Sequence, residues 1–272
     1  MNAQNIVLSI PQLTLEWQFA VGDETVYRVV QGESHNPLYV LLNNPTSELY
    51  LTSVHTACAA AHTKTNEEDV FTEIWAKFES LLIHKAVFQD GTVFETDVLK
   101  YYGREITNQS SPQYTTIVNE LAIESINDII QPPVQFPTIA RDQSDLYDDT
   151  PPVQSLLKHK DGKCSVWQEF MISVLGTQGI TAFADSIVVK EYDIQNDNHV
   201  FKIKTNLHGQ GGSTPMESIW AGHAVVSYAG QIYDPSYGKE YGPKNGSALK
   251  PPALNTFVAE SVESFGTTED RD

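Results

Sequence analysis

With 272 residues the chain can form one large domain or two modest ones, and its apolar and charged fractions, 40% and 19%, are ordinary for a globular protein. Lys and Arg number 17 against 35 Asp and Glu, a formal charge of −18, which argues against a nucleic-acid backbone or an anionic membrane surface as partner. Two cysteines, Cys58 and Cys164, exclude a disulfide framework and a cysteine-rich zinc site, and no apolar run reaches the length of a membrane span.

The opening Met-Asn-Ala-Gln lacks the basic start and long apolar run of a secretory signal, so a reduced, cytoplasmic setting is expected. Residues 13–19, 25–30, 38–42 and 49–55 read as strands. The turn signals Gly22-Asp23, Asn36-Pro37 and Asn43-Asn44-Pro45 separate them, which predicts a sandwich-like sheet. Cys58 and His62 lie in the small-residue run that follows and are read as packing. Thr65 and Glu68 have the spacing of a capping box. The helix they open carries Phe71, Trp75, Phe78 and Leu82 on one stripe. Residues 87–94 form a hairpin around Asp90-Gly91. Residues 1–103 are thus expected as a β-rich N-terminal domain.

Residues 104–150 read as a connector. Val118, Ala122, Ile126 and Ile130 predict a helix over 114–130, and Gln131-Pro132-Pro133 stops it. The Pro-rich linker that follows holds Asp142, Asp145, Asp148 and Asp149 without the spacing of a calcium loop, so neither metal nor cofactor is expected. Residues 151–250 are expected as a second domain, with strands at 181–191 and 199–204. The Gly209-Gln210-Gly211-Gly212-Ser213-Thr214-Pro215 loop is either an exposed connection or a mobile flap. Residues 251–272 are expected as a flexible tail.

The chemistry concentrates at Asp161-Gly162-Lys163-Cys164. Val166, Phe170 and Val174, with Trp167, Met171 and Leu175 beside them, predict a helix that starts at the cysteine. In a first helical turn the unpaired N–H groups and the positive end of the helix dipole favour an anion, so a thiol there ionises readily and becomes a nucleophile. Downstream, two β-rich runs flank Ala229-Gly230. A two-residue turn there pairs Val225 with Asp234 and His223 with Ser236, so His223 and Asp234 project from one face as diagonal neighbours. A base beside the thiol and a carboxylate to orient the base are the parts that thiol chemistry requires.

Gly162-x-Cys164 opening a helix, Leu175-Gly176-x-x-Gly179-Ile180 closing it, and Gly222-His223-Ala224-x-Val226 followed by Tyr233-Asp234-Pro235 resemble the transglutaminase-like superfamily of papain-like cysteine enzymes. The resemblance covers residues 151–245. It departs from the usual pattern in its short His-to-Asp interval and in Val225 and Val226, where an aromatic residue often follows the histidine. It implies an α+β fold in which a helix bearing the cysteine packs on an antiparallel sheet, with Cys164 as nucleophile, His223 as base and Asp234 as orienting acid. It also implies acyl transfer through a thioester on a peptide or protein substrate, as hydrolysis, deamidation or transamidation. Gln168, Gln210 and Trp220 are candidate oxyanion or substrate-side groups. Asp234-Pro235-Ser236-Tyr237-Gly238 also resembles arylamine N-acetyltransferases, and a third reading is a catalytically silent papain-like binding module.

Overall fold

The computed structural model describes residues 6–19, 28–101, 151–188, 199–204, 206–213, 219–220, 222–245, 248–249, 256–257 and 259–267. The expected connector and linker, 104–150, lie outside the described residues. The fold is mixed α+β with antiparallel sheets, apart from one short parallel pair. The chain divides into two compact units that are not consecutive blocks. One comprises Met1–Trp75, His84–Asp97 and Val174–Ile180; the other comprises Ala76–Ile83, Val98–Ser173 and Thr181–Asp272.

In the first unit, β1 (Leu8–Phe19) and β2 (Arg28–Val40) form a long antiparallel ribbon. Ile10 pairs with Leu38 and Leu13 with Asn36, so Pro11 and Gln12 oppose Pro37 in a bulge. Prolines lack a ladder donor and are tolerated at such places. Asn36-Pro37 is therefore not a turn, and residues 28–30 and 38–40 of the separate strands expected at 25–30 and 38–42 fall on the one strand β2. The strand expected at 49–55 is also overturned: Leu51–Ala60 is helix α1. Its β-branched start resembles a strand, but Ala57-Cys58-Ala59-Ala60 extends it as a helix, and tertiary packing overrides weak propensity. The sandwich gives way, among the described residues, to this ribbon and a second two-stranded sheet. That sheet pairs β3 (His84–Gln89) with β4 (Thr92–Val98) around Asp90-Gly91, as the sequence predicts.

Helix α2 (Glu67–Glu79) starts one position later than the capping box predicts. Asn66 is the cap: its Oδ1 accepts from Asp69 N at 2.9 Å, and its Nδ2 donates to Asp69 Oδ2 at 2.8 Å.

In the second unit, β5 (Lys100–Tyr101) pairs in parallel with β6 (Asp161–Gly162). Between them in sequence, Pro152–His159 forms helix α3, which ends on Lys160 with φ 68°. Helix α4 (Cys164–Thr177) follows β6. A five-stranded antiparallel sheet has the order β13 (Ala248–Leu249), β12 (Lys239–Asn245), β11 (Gln231–Asp234), β10 (Gly222–Tyr228), β7 (Phe183–Val188). A three-stranded sheet has the order β14 (Val262–Thr267), β8 (His199–Ile203), β9 (Ile219–Trp220). Strand β14 falls within the segment expected as a flexible tail. It pairs with β8 from Val262↔Ile203 to Thr267↔His199, and ladder bonds fix what composition alone reads as loose. No helix among the described residues is long and apolar enough to cross a membrane.

Candidate functional site

Helix α4 begins where the thiol sits. Gly162 is required there by close approach, since a Cβ would lie 2.8 Å from Val166 Cγ1. The Lys163 carbonyl accepts from Val166 N at 3.0 Å and Trp167 N at 3.1 Å, so Lys163 caps the helix and Cys164 is its first residue. The sulfur is half-buried.

The imidazole and the carboxylate come from the β10–β11 hairpin. Ala229 (φ 47°) and Gly230 (φ 78°) form its two-residue turn, and the register Tyr228↔Gln231, Ser227↔Ile232, Val226↔Tyr233 is the one the sequence predicts. His223 and Asp234 accordingly share a face, with Nε2 2.7 Å from Asp234 Oδ2. A carboxylate only accepts, so Nε2 carries the hydrogen. Asp234 is fully buried. Its Oδ1 accepts from Ser236 N at 2.9 Å and Tyr237 N at 3.3 Å, and its Oδ2 also accepts from Tyr241 Oη at 2.8 Å. Gly238 (φ +59°) completes the turn beneath it, where a Cβ would lie 2.9 Å from Phe78 O and Glu79 Cα.

His223 is only 3% exposed. Its ring stacks on Tyr237 (centroids 5.2 Å, 29°) and on Phe257 (6.1 Å, 17°), which removes rotational freedom from the imidazole. With Nε2 on Asp234, the ring's hydrogen bond to the Cys164 thiol is made by Nδ1. The Ala224 backbone N–H also bonds the sulfur. In this hairpin Tyr228 and Val226 direct their backbone groups toward β11, and Ala224, two residues further along β10, directs its own to the same side. The ladder with β11 stops at Val226↔Tyr233, which leaves the Ala224 donor for the thiol.

Burial alone would lower the His223 pKa, but the charge and hydrogen bond of Asp234, with the thiol's contribution, raise it to about 10. Burial raises the Cys164 pKa. The hydrogen bond and charge of His223 and the Ala224 N–H outweigh that, with Asp234 opposing, and the thiol lies below its ordinary value. The arrangement favours a thiolate beside an imidazolium. Neighbouring Lys163 is pushed down to about 8 by burial, partly offset by the charge of Cys164.

The other sequence candidates have different places. Gln168 Nε2 donates to Asp185 O (2.6 Å) and Val225 O (2.5 Å), which ties α4 to β7 and β10. Gln210 is fully buried in a 3-10 turn, and its Nε2 donates to Phe78 O (2.7 Å) and Pro235 O (2.8 Å). Both amide groups already use their two hydrogens, so neither side chain has one for an oxyanion; they are clamps. Gly211 N also donates to Leu81 O at 2.9 Å, so residues 209–213 of the glycine-rich loop are anchored, not a flap. Trp220 pairs with Phe201 on β9, and its side chain lies outside the described residues.

Tyr241, Tyr237, Phe257 and Ser261 surround the site without having been predicted from the sequence. Tyr237 precedes Gly238, in the turn after Asp234, and Tyr241 precedes Gly242, in β12; both glycines have positive φ, and that Tyr-Gly repetition is the available signal. Among the described residues no group of three or more His, Cys, Asp or Glu side chains is arranged to hold a metal ion. Comparison of the chain with protein-family models, with curated proteins and with solved structures gave no match in any of the three.

Proposed function

We propose that this protein is a thiol-dependent acyl-transfer enzyme of transglutaminase-like, papain-like architecture, with Cys164 as nucleophile, His223 as acid and base, and Asp234 as the group that orients His223. The single observation that carries the reading is the line from the helix-start thiol through both ring nitrogens of a buried, clamped imidazole to a fully hydrogen-bonded carboxylate.

In this mechanism the Cys164 thiolate attacks the carbonyl carbon of an amide, forming the S–C bond and moving the carbonyl electron pair onto oxygen. The Cys164 backbone N–H, at the open end of α4, donates to that oxyanion. Collapse breaks the C–N bond while the imidazolium gives its Nδ1 proton to the departing amine, leaving a thioester and neutral His223. Neutral His223 then takes a proton from water or from a second amine, which attacks the thioester and restores the thiolate. Water gives hydrolysis or deamidation, and an amine gives transamidation. A peptide or protein amide is the substrate class this reading takes.

Alkylation by iodoacetamide as a function of pH tests the reading. Cys164 should be modified well below the ordinary thiol value of about 8.5. Modification confined to the neighbourhood of that value would favour the silent binding module.

A further inference from the structure

We infer that Tyr241 and Ser261 are positioning residues for the thiol chemistry proposed above, holding Asp234 in line with His223 through a one-directional chain of hydrogen bonds. The inference rests on that reading of Cys164 and His223, and it assigns a role to a segment that carries none of the three reacting groups.

The direction of the chain follows from counting protons. The Asp234 carboxylate has none to give, so the single Tyr241 hydroxyl hydrogen points to Oδ2 at 2.8 Å. The phenol oxygen then accepts from Ser261 Oγ at 3.0 Å. Two donors therefore converge on Oδ2, the phenol and the imidazole, while two backbone N–H groups hold Oδ1. Removing the phenol takes away half the support at the oxygen that faces His223.

Both residues are placed by backbone features. Glu240 pairs with Tyr233 and Gly242 with Ile232, so Tyr241 is the extra residue of a bulge in β12, a device that re-aims a side chain. Ser261 immediately precedes β14, and its carbonyl accepts from Lys204 N at 3.0 Å, so the pairing of β14 with β8 fixes its hydroxyl. Asp234 and Ser261 are fully buried and Tyr241 is 1% exposed, which keeps water from competing for these bonds. Phe257 meets the Tyr241 ring edge-on at 5.2 Å and also stacks on His223.

The titratable groups around the thiol and imidazole are Asp234, Lys163, Tyr237 and Tyr241. Burial first, with the Asp234 charge also raising them, keeps both tyrosines well above their ordinary range and therefore protonated. Lys163, pushed down to about 8 by burial, is the neighbouring cationic group.

The experiment uses the full chain, with the iodoacetamide rate at Cys164 followed across pH and the low-field proton resonance of the His223 Nε2–H observed alongside. Tyr241→Phe keeps the ring and its packing and removes only the hydroxyl. Its alkylation limb should move to higher pH, slowing modification on the limb about tenfold, and the low-field resonance should move upfield. Ser261→Ala should shift both in the same direction by less. The double variant should match Tyr241→Phe alone, because Ser261 acts through the phenol. A profile and resonance unchanged in Tyr241→Phe, or additive effects in the double variant, would overturn the inference. Should Tyr241→Phe fail to fold, an unchanged profile in Ser261→Ala would do the same. If the unmodified chain itself shows no acid-shifted limb, the nucleophile reading fails and this inference falls with it. A shifted limb in the unmodified chain that ignores both substitutions sinks the inference alone.

Discussion

Cys58 in the first unit and Cys164 in the second both lie on helices, yet their surroundings drive their thiols in opposite directions. Cys58 sits inside α1, fully buried, with Gln178 Nε2 donating to its sulfur at 3.2 Å. Burial pushes it up to about 11, and the Gln178 hydrogen bond offsets this only in part. A histidine lies four residues further on, but His62 Nδ1 accepts from Ser9 N at 3.1 Å. Cys164 stands at a helix start, half-buried, with a charged partner and a backbone donor. Desolvation acts on both sulfurs, and only the second has groups that favour the charged form strongly enough to reverse it. The opposite shifts follow from helix position and partner, since burial without them only raises a thiol.

The largest expected effect erases that contrast. His223→Ala removes the partner that favours the thiolate, so alkylation of Cys164 at mildly acidic pH should fall about a hundredfold or more. Labelling resolved by site would then show the two cysteines approaching each other. A rate at Cys164 that ignored His223→Ala would mean that the helix end alone sets its reactivity.

A pH titration of stability sharpens the comparison further. His223, raised from 6.5 to about 10, contributes stability that is complete below 6.5 and is lost as pH rises through about 10. Cys164, lowered, contributes stability that is present above the ordinary thiol value of about 8.5 and is lost as pH falls through its folded value. Between its folded value and about 8.5 the Cys164 contribution rises with pH and opposes the histidine loss. Stability should therefore hold up to about pH 8.5 better than the histidine alone would allow and fall above it, at about 1.4 kcal/mol per pH unit for one proton. Cys164→Ala leaves only the histidine contribution, so the decline should begin near 6.5. Cys58, raised to about 11, steepens the alkaline fall, and Cys58→Ala should remove that share. Scanning calorimetry of the three proteins across pH reads this out, and identical pH profiles would contradict it.

The smallest effect is at Cys58 under neutral conditions. Cys58→Ala deletes a buried sulfur and leaves Gln178 Nε2 without that acceptor, at a cost of about 1–2 kcal/mol in urea unfolding. Cys164 should alkylate at an unchanged rate.

How much of this was legible in the sequence depends on how local each determinant is. The β10–β11 hairpin could be placed because Ala229-Gly230 fixes its register within a few residues, and that register puts His223 and Asp234 on one face. The start of α4 could be placed because Gly162 and the apolar spacing after Cys164 are contiguous. The cap of α2 was missed by one residue because Thr65 and Asn66 are both good caps, and only the bond to Asp69 decides between them. Helix α1 reads as a strand in sequence because Thr52, Val54 and Thr56 carry weak local preferences that packing overrides. Gln168 and Gln210 are oxyanion or substrate-side candidates in the sequence because their side chains can donate. The carbonyls that take their hydrogens, Asp185 and Val225 for one, Phe78 and Pro235 for the other, are distant in sequence. Ser261 and Phe257 were read as tail for the same reason, since nothing near them in the chain announces Tyr241 or His223.

The position of Ser261 has a consequence for the order in which a newly made chain acquires its chemistry. A ribosome delivers the sulfur first, then the imidazole, the acid and the phenol that bonds it, and the Ser261 hydroxyl that supports the phenol only after β12 has followed. A nascent polypeptide released up to β13 thus carries all three reacting groups with that support still missing. The hydrogen-bond chain behind the imidazole is therefore completed only with β14, the last of the described strands to be made.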